Sequence, residues 1–308
     1  MQERRYKIYI VLMVLISIIC IILVSCKEDD LQRHYVTDDN TMTIASAGMS
    51  DFTVVYVEKE YESNKDLQVN IGNLLEITKT KTNATLPTEV SEALFYEEEV
   101  FQILVGDTGF PESDSVIEDL DFNDYEIKRI GNKIVIAGGC VQATAKAVEA
   151  FNNIISLEDG TSYIDYENEM NVHNKGEYAV KSMTINGTDI KNFTIILNAN
   201  ESTIENEFAV MVQQAVAQAC GKLLKISDKQ PANGKAVYIG YSSERAEQLT
   251  LTEYEIAAEN GNLYISAGSA AAYDAAYQAL TEIFIDKESV DISDGFNRRE
   301  DLSFEFKV

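Results

Sequence analysis

Carboxylates are the groups this 308-residue chain supplies most freely for chemistry: 51 aspartates and glutamates stand against 25 lysines and arginines, a formal net charge of −26. Hydrolysis by paired carboxylates needs two of them at a controlled separation in a cleft, one kept protonated and the other ionised. At this density chance pairs are inevitable and no spacing singles one out, so solvated surface is the better reading and no catalytic residue is assigned. Asp119, Asp121 and Asn123 imitate the first half of a calcium loop. The sixth place, where the turn demands glycine, is Asp124, and the closing glutamate is replaced by Ile130. The calcium reading therefore fails on geometry, and no metal or cofactor is expected.

The remaining reactive types are sparse. Of the two histidines, His34 lies in a polar stretch and His173 in a connecting segment, so neither has partners for a zinc site or a triad. Gly138-Gly139 at a helix start could hold an anion but lacks the lysine and hydroxyl of a phosphate loop, and close packing of strand on helix explains it adequately. Cys20 and Cys26 lie near the N-terminus, Cys140 at the start of one helix and Cys220 near the end of another. The last two are not equivalent positions, which argues against a disulfide framework; free thiols are expected, with a single inter-domain bridge as the alternative. A helix N-terminus would favour the thiolate of Cys140, but no neighbouring histidine or nucleophile motif supports catalysis there. With 16 tyrosines and no tryptophan, sugar stacking would fall to residues such as Tyr264, Tyr273 and Tyr277, although Tyr264 serves equally well as a sheet residue.

The elements that must position these groups are written twice. Tyr125-Glu126-Ile127 leads to Gly131-Asn132, the apolar run Ile134 to Ala137, Gly138-Gly139 and a helical pattern ending near Ile155. Tyr254-Glu255-Ile256 leads to Gly261-Asn262, then Leu263 to Ala267, Gly268 and an alanine-rich helix. Gly-Asn between two β-rich runs reads as a tight hairpin turn, because both residues tolerate positive φ. Upstream, Met42-Thr43-Ile44 matches Met183-Thr184-Ile185, and the match runs ungapped to Phe52-Thr53-Val54-Val55 against Phe193-Thr194-Ile195-Ile196. Internal duplication is the strongest signal in the sequence.

Each copy reads as a mixed sheet of order β-α-β-β-β-α with two helices packed on it, an α/β (α+β) class. The first strands are expected over 52–57 and 193–198. The first helix of copy one takes Ser63 or Asn64 as cap and carries Leu67, Ile71, Leu74, Leu75 and Thr78 on one face. In copy two, Ser202 and Glu205 are spaced as a capping box, and Phe208, Val212, Ala215, Ala219 and Leu223 form the stripe. Strands over 101–106 and 236–240 are apolar on both faces, as central strands are. In the closing helices Val148, Phe151, Ile154 and Ile155, and likewise Ala272, Ala276, Ala279, Leu280 and Ile283, should face the sheet.

Outside the repeats, Arg4, Arg5 and Lys7 precede an uncharged apolar run over 8–24, a targeting segment. Leu23-Val24-Ser25-Cys26 is similar to the lipobox of bacterial lipoproteins, in which the cysteine thiol carries diacylglycerol after cleavage. The run then turns at once into Lys27-Glu28-Asp29-Asp30. The alternative is an uncleaved membrane anchor, since the run nearly spans a bilayer. In both readings the remainder lies on the extracytoplasmic face of a bacterial cell membrane. The expected organisation is a signal peptide over 1–25, a tether over 26–40, a first domain over 41–167, a connection over 168–182 and a second domain over 183–308. An acidic surface repels phosphate backbones and anionic lipid, which disfavours nucleic-acid binding.

The order Val105-Gly106-Asp107-Thr108, Tyr125-Glu126-Ile127, Ile134 to Gly139 and Ala147-Val148 resembles the non-catalytic N-terminal α/β domain that precedes the barrel in β-hexosaminidase-like and α-glucuronidase-like glycoside hydrolases. The likeness covers most of 52–155 and, more faintly, 193–284. It departs where an Arg-Gly pair and a helical tyrosine are usual in the family: Gln142-Ala143 and Lys146 stand there. The resemblance implies glycan-associated ancestry, and the sequence ends at Val308, where the family's catalytic barrel would begin. Two functions follow as expectations. The first is a membrane-anchored binding or scaffold lipoprotein whose partners are the bilayer and a polysaccharide or a glycan-active protein. The second is a glycan-acting hydrolase with its site between the two copies.

Overall fold

The structure is a computed structural model that describes residues 39–156, 162–197, 203–240 and 249–302. Cys26, the signal peptide, nearly all of the tether, His34 and the capping residue Ser202 lie outside the described residues. The chain divides into two compact units. The first takes residues up to Leu120 with Asp124–Asn174, the second Asp121–Asn123 with Lys175 onward.

The first unit is built from β1 (Thr41–Ser46), β2 (Thr53–Tyr56), α1 (Glu58–Ser63), α2 (Lys65–Thr82), β3 (Thr88–Val90), β4 (Gln102–Val105), α3 (Pro111–Ile117), β5 (Tyr125–Ile130), β6 (Lys133–Gly138), α4 (Val141–Ser156), β7 (Tyr163–Glu167) and β8 (Val172–Asn174). Six strands form a mixed sheet of order β3-β2-β4-β6-β5-β8, parallel from β3 through β6 and antiparallel at β5 and β8. Helix α2 starts where Asn64 accepts a hydrogen bond from the Leu67 amide at 2.9 Å, and it buries Leu67, Ile71, Leu74, Thr78 and Thr82. It stops at Asn83, whose left-handed φ of 60° closes the last turn. Val148, Phe151 and Ile155 of α4 pack beside that stripe on Val54, Ile103, Ile134 and Ile136 of the sheet. Phe151 is wholly buried, so truncating it to alanine should cost about 3–5 kcal/mol. The opposite face, Val55, Leu104, Val135 and Ala137, is covered by Phe110 and Val116 at α3. Apart from this sheet, β1 pairs antiparallel with β7, Thr41 opposite Glu167 and Ser46 opposite Tyr163.

One lysine is buried in that layer. Lys133, 0% exposed, opens β6 and donates to the carbonyls of Glu97 and Glu98 at 2.8 Å each. It pairs with Glu112 at 3.3 Å and lies 5.1 Å from the ring centre of Tyr96. An ammonium is tolerated in such a place only because its protons are taken up and its charge is met.

The second unit comprises β9 (Ser182–Ile185), β10 (Thr188–Asp189), β11 (Thr194–Leu197), α5 (Thr203–Cys220), β12 (Lys225–Ser227), β13 (Ala236–Ile239), β14 (Glu253–Glu259), β15 (Asn262–Ala267), α6 (Ala270–Glu282), β16 (Ser289–Ile292) and β17 (Asn297–Asp301). Its main sheet runs β12-β11-β13-β15-β14-β17, with the same succession of parallel and antiparallel pairings as in the first unit. Phe208, Val212 and Ala215 of α5 and Ala272, Ala276 and Leu280 of α6 close the core over Ile195, Val237, Leu263 and Ile265. A three-stranded sheet, β10-β9-β16, stands apart from the main one.

The mixed α/β class expected from the sequence is what the fold shows. Four strands per sheet was too few. The added edge strands β3, β8, β12 and β17 are three to five residues long and largely polar, so they carry no period to read. Helix α3, only seven residues and started by Pro111, escaped for the same reason. In the second hairpin the corner is Asn260-Gly261, with φ of 53° and 72°, and Asn262 already belongs to β15. Leu223 falls beyond the end of α5 and is 52% exposed, while Ile154, Ala219 and Ile283 are half-buried at the edge of their clusters.

Candidate functional site

Parallel strands whose connections leave in opposite directions part at their carboxyl ends and open a crevice there. In the first unit this point lies between β2 and β4, because α2 carries the chain from β2 to β3 on one side while β4 lies on the other. Tyr56 ends β2, α1 follows it, and Gly106-Asp107 follows β4. Gly106 has φ of +81°, and a β-carbon there would collide with the carboxylate of Glu60 from α1. Glu60 Oε2 is buried without a hydrogen-bond partner. Burial raises the carboxyl of Glu60 above the usual range, and the charges of Asp107 and Glu92 raise it further.

The neighbours complete an acidic and aromatic edge. Tyr56 and Tyr61 hold their rings 4.6 Å apart at 33°, both half-buried. Burial is also the first cause that raises the Tyr56 phenol, followed by Tyr61 and Glu58. Glu92 goes the other way, its carboxylate favoured first by its own backbone amide and less by the Glu58 amide and the Ser91 hydroxyl. One carboxyl inclined to keep its proton thus interacts with another, Glu92, inclined to lose its own. Such an edge can donate and accept hydrogen bonds to hydroxyls and offer an aromatic surface to C–H groups, with the Glu60 carboxyl held above the usual carboxylate range by burial.

The second unit repeats the geometry with different chemistry. Gly240 follows β13 with φ of +60°, and the carboxylate of Glu205 occupies the space of its missing side chain. The Tyr273 hydroxyl reaches Glu205 Oε1 at 3.5 Å. Burial first, and then the charge of Glu205, push the Tyr273 phenol above its ordinary range. Gly106 and Gly240 each donate their amide to the next strand, to Ile136 and Ile265 respectively, at 3.0 Å.

The residues singled out in the sequence are not gathered in one place. Tyr273 joins Glu205 and packs on Phe208 at 4.7 Å. Tyr264 is a sheet residue, stacked on Tyr238 at 4.8 Å and 16°. Tyr277 lines a separate groove with Val180 and Phe284. His173 sits on the edge strand β8, its Nδ1 3.1 Å from Glu126. Gly138 donates its amide to the Thr144 hydroxyl at 3.1 Å and Gly139 to the Asp124 carbonyl at 2.9 Å, so neither is left for an anion. Of the calcium-like run, Asp121 pairs with Lys222 and the Asn123 amide donates to the Tyr178 hydroxyl at 2.7 Å. Among the described residues no group of three or more histidines, cysteines or carboxylates is placed to hold a metal. Cys140 and Cys220 are free thiols; burial raises that of Cys220, which donates to the Val216 carbonyl at 3.2 Å. Sequence reasoning missed Glu60, Tyr56 and Tyr61. The signal that could have found them is position, the residues that directly follow the first strand of a parallel set.

No protein-family model and no curated protein matches the chain. Solved structures that show partial likeness include CpGH84D, with 12% identity over 68% of this chain and 30% of that one, at a TM-score of 0.30. Another is an inactive mutant of a GH20 exo-β-N-acetylglucosaminidase from Vibrio harveyi, with 10% identity over 65% of this chain and 23% of that one, at a TM-score of 0.28. The chain spans less than a third of the length of either.

Proposed function

We propose that the folded chain is a non-catalytic binding module of a glycan-handling system, held at the extracytoplasmic face of a bacterial membrane through a lipid on Cys26. The observation that carries the binding part is the Tyr56–Tyr61 ring pair on the strand-end edge that also holds Glu60 and its unpartnered oxygen. A pyranose presents a C–H face and a rim of hydroxyls, and this edge offers an aromatic surface and carboxyl groups to match. The anchoring part rests on the lipobox-like run over 23–26. Affinity for a single site should be weak, on the order of −4 to −8 kcal/mol, with display on a surface adding avidity. The test is retention of plant, host and bacterial cell-wall glycans by the purified chain, alongside an assay for released reducing sugar. Retention lost in Tyr61→Ala without any bond cleavage supports the reading; an absence of retention across the panel defeats it.

A second reading, a glycan-acting hydrolase, is favoured by the Glu60 carboxyl, which burial in the strand-end edge shifts upward, the direction a general acid needs. Turnover that persists through purification to homogeneity and vanishes in Glu60→Gln would establish it in place of the binding module.

A further inference from the structure

Helices α2 and α4 leave between them a groove of about 400 Å³ in the first unit. Asn70, Glu76 and Ile77 line it from α2, and Glu149 and Asn152 from α4. The spacings are those of single helical faces, so the lining is a meeting of two stripes. The polar groups at its floor are unusual in what they have spent. Asn152 is only 6% exposed, and its Nδ2 donates to the Asn70 carbonyl at 2.8 Å. Asn70 in turn gives its own Nδ2 to the Ala145 carbonyl at 2.9 Å. These bonds fix the amide orientation, because a flip of Asn152 would set oxygen against oxygen. Asn152 Oδ1 is then buried with no donor to satisfy it, an uncompensated loss of hydration that a bound donor would relieve.

The floor therefore holds one unpartnered acceptor, Asn152 Oδ1, and the rim adds the carboxylates of Glu76 and Glu149 on exposed side chains. A ligand that fits must be rich in donors and gains from a positive charge. An ammonium brings three N–H donors on one compact centre, and Ile77, half-buried against the core, gives its carbon skeleton an apolar surface. We propose that this groove binds a small primary ammonium ion, carried on an aliphatic diamine or an amino sugar. The site is separate from the strand-end edge and does not depend on it.

The test titrates the purified full chain, in nonionic detergent, with putrescine, glucosamine and N-acetylglucosamine, read by calorimetry and by the Asn152 side-chain amide resonance. Binding by putrescine alone marks a diamine site, and tighter binding by glucosamine marks an amino-sugar site; either result supports the proposal. The uncharged N-acetylglucosamine should not bind. Glu76→Gln with Glu149→Gln should weaken the ammonium probes at least fivefold, whereas Glu207→Gln with Glu288→Gln, the same charge change elsewhere, should leave them unchanged. Tyr61→Ala should also leave them unchanged, which separates this site from glycan retention at the strand ends. Equal binding of N-acetylglucosamine, no binding of either ammonium, or indifference to the Glu76 and Glu149 changes overturns the proposal.

Discussion

The carboxylate of Glu205 lies against Gly240 in the space that a β-carbon would need. Glu60 lies the same way against Gly106, so each unit closes the carboxyl end of its central strand with a glutamate that only a glycine can admit.

That packing makes Gly240→Ala expensive. The left-handed φ of +60° costs an alanine about 1–2 kcal/mol, and displacing Glu205 adds to it. Gly295→Ala is the control, since its φ is +88° but nothing stands within 4 Å of the new carbon. Urea unfolding should show Gly240→Ala as clearly the more damaging change; equal losses would mean that the glutamate contact contributes nothing.

Glu60 should make stability depend on pH in the direction opposite to most carboxylates. Its folded-state pKa is raised above the model-peptide value of 4.5, so the unfolded chain ionises first. Its contribution is intact below that unfolded value and is lost as pH rises through the raised folded one. Glu60→Gln should therefore be at least as stable as the wild type at pH 7–8, with its advantage shrinking toward pH 4. Denaturation midpoints measured across that range check this, and a gap that widens on acidification contradicts it.

Lys133→Met should loosen the segment from Leu94 to Glu99. The change leaves Glu112 and the carbonyls of Glu97 and Glu98 without their shared cation, at a cost of about 3 kcal/mol. Phe95, 92% exposed already, should become a site of rapid chymotryptic cleavage. Resistance to the protease equal to that of the wild type would show that the ammonium does not hold this segment.

A fragment cut at the boundary suggested by sequence, residues 40–167, omits β8, which pairs with β5 from Tyr125 to Ile127. The fragment 40–174 keeps it. We expect both to fold and the longer to be more stable by about 1 kcal/mol, from edge hydrogen bonds kept and an apolar edge covered. Identical urea midpoints would show β8 to be dispensable.

On the anchoring proposal, Cys26→Ala should release the chain from bacterial membranes or strand its precursor. Fractionation and mass spectrometry of the wild type check it, and an intact Met1 on the mature protein would rule out the lipoprotein.

What could be read in advance follows from how far each feature depends on its own neighbourhood in the chain. Strands β4 and β6 are apolar on both faces, and the stripes of α2 and α4 repeat over four turns, so local pattern suffices for them. The edge strands take their structure from a partner strand, which no local pattern records. Glu60 is the same case at the level of the site. It is one of many surface-like glutamates until Gly106, brought beside it by the sheet, removes its solvent. Tyr273 was visible as an aromatic, but its partner Glu205 lies on another helix.

The β1–β7 ladder also has a mechanical side. Thr41 and Glu167 are paired at one end of it, so the chain before β1 and the chain after β7 both leave from that end. Tension drawn between those two continuations pulls along the inter-strand hydrogen bonds, one pair at a time, rather than across all of them at once. The pairs then part singly, Thr41 from Glu167 first and Ser46 from Tyr163 last, as a zipper opens. A fold loaded this way yields at a lower force than one sheared along its strands, and the ladder peels open from the Thr41 end.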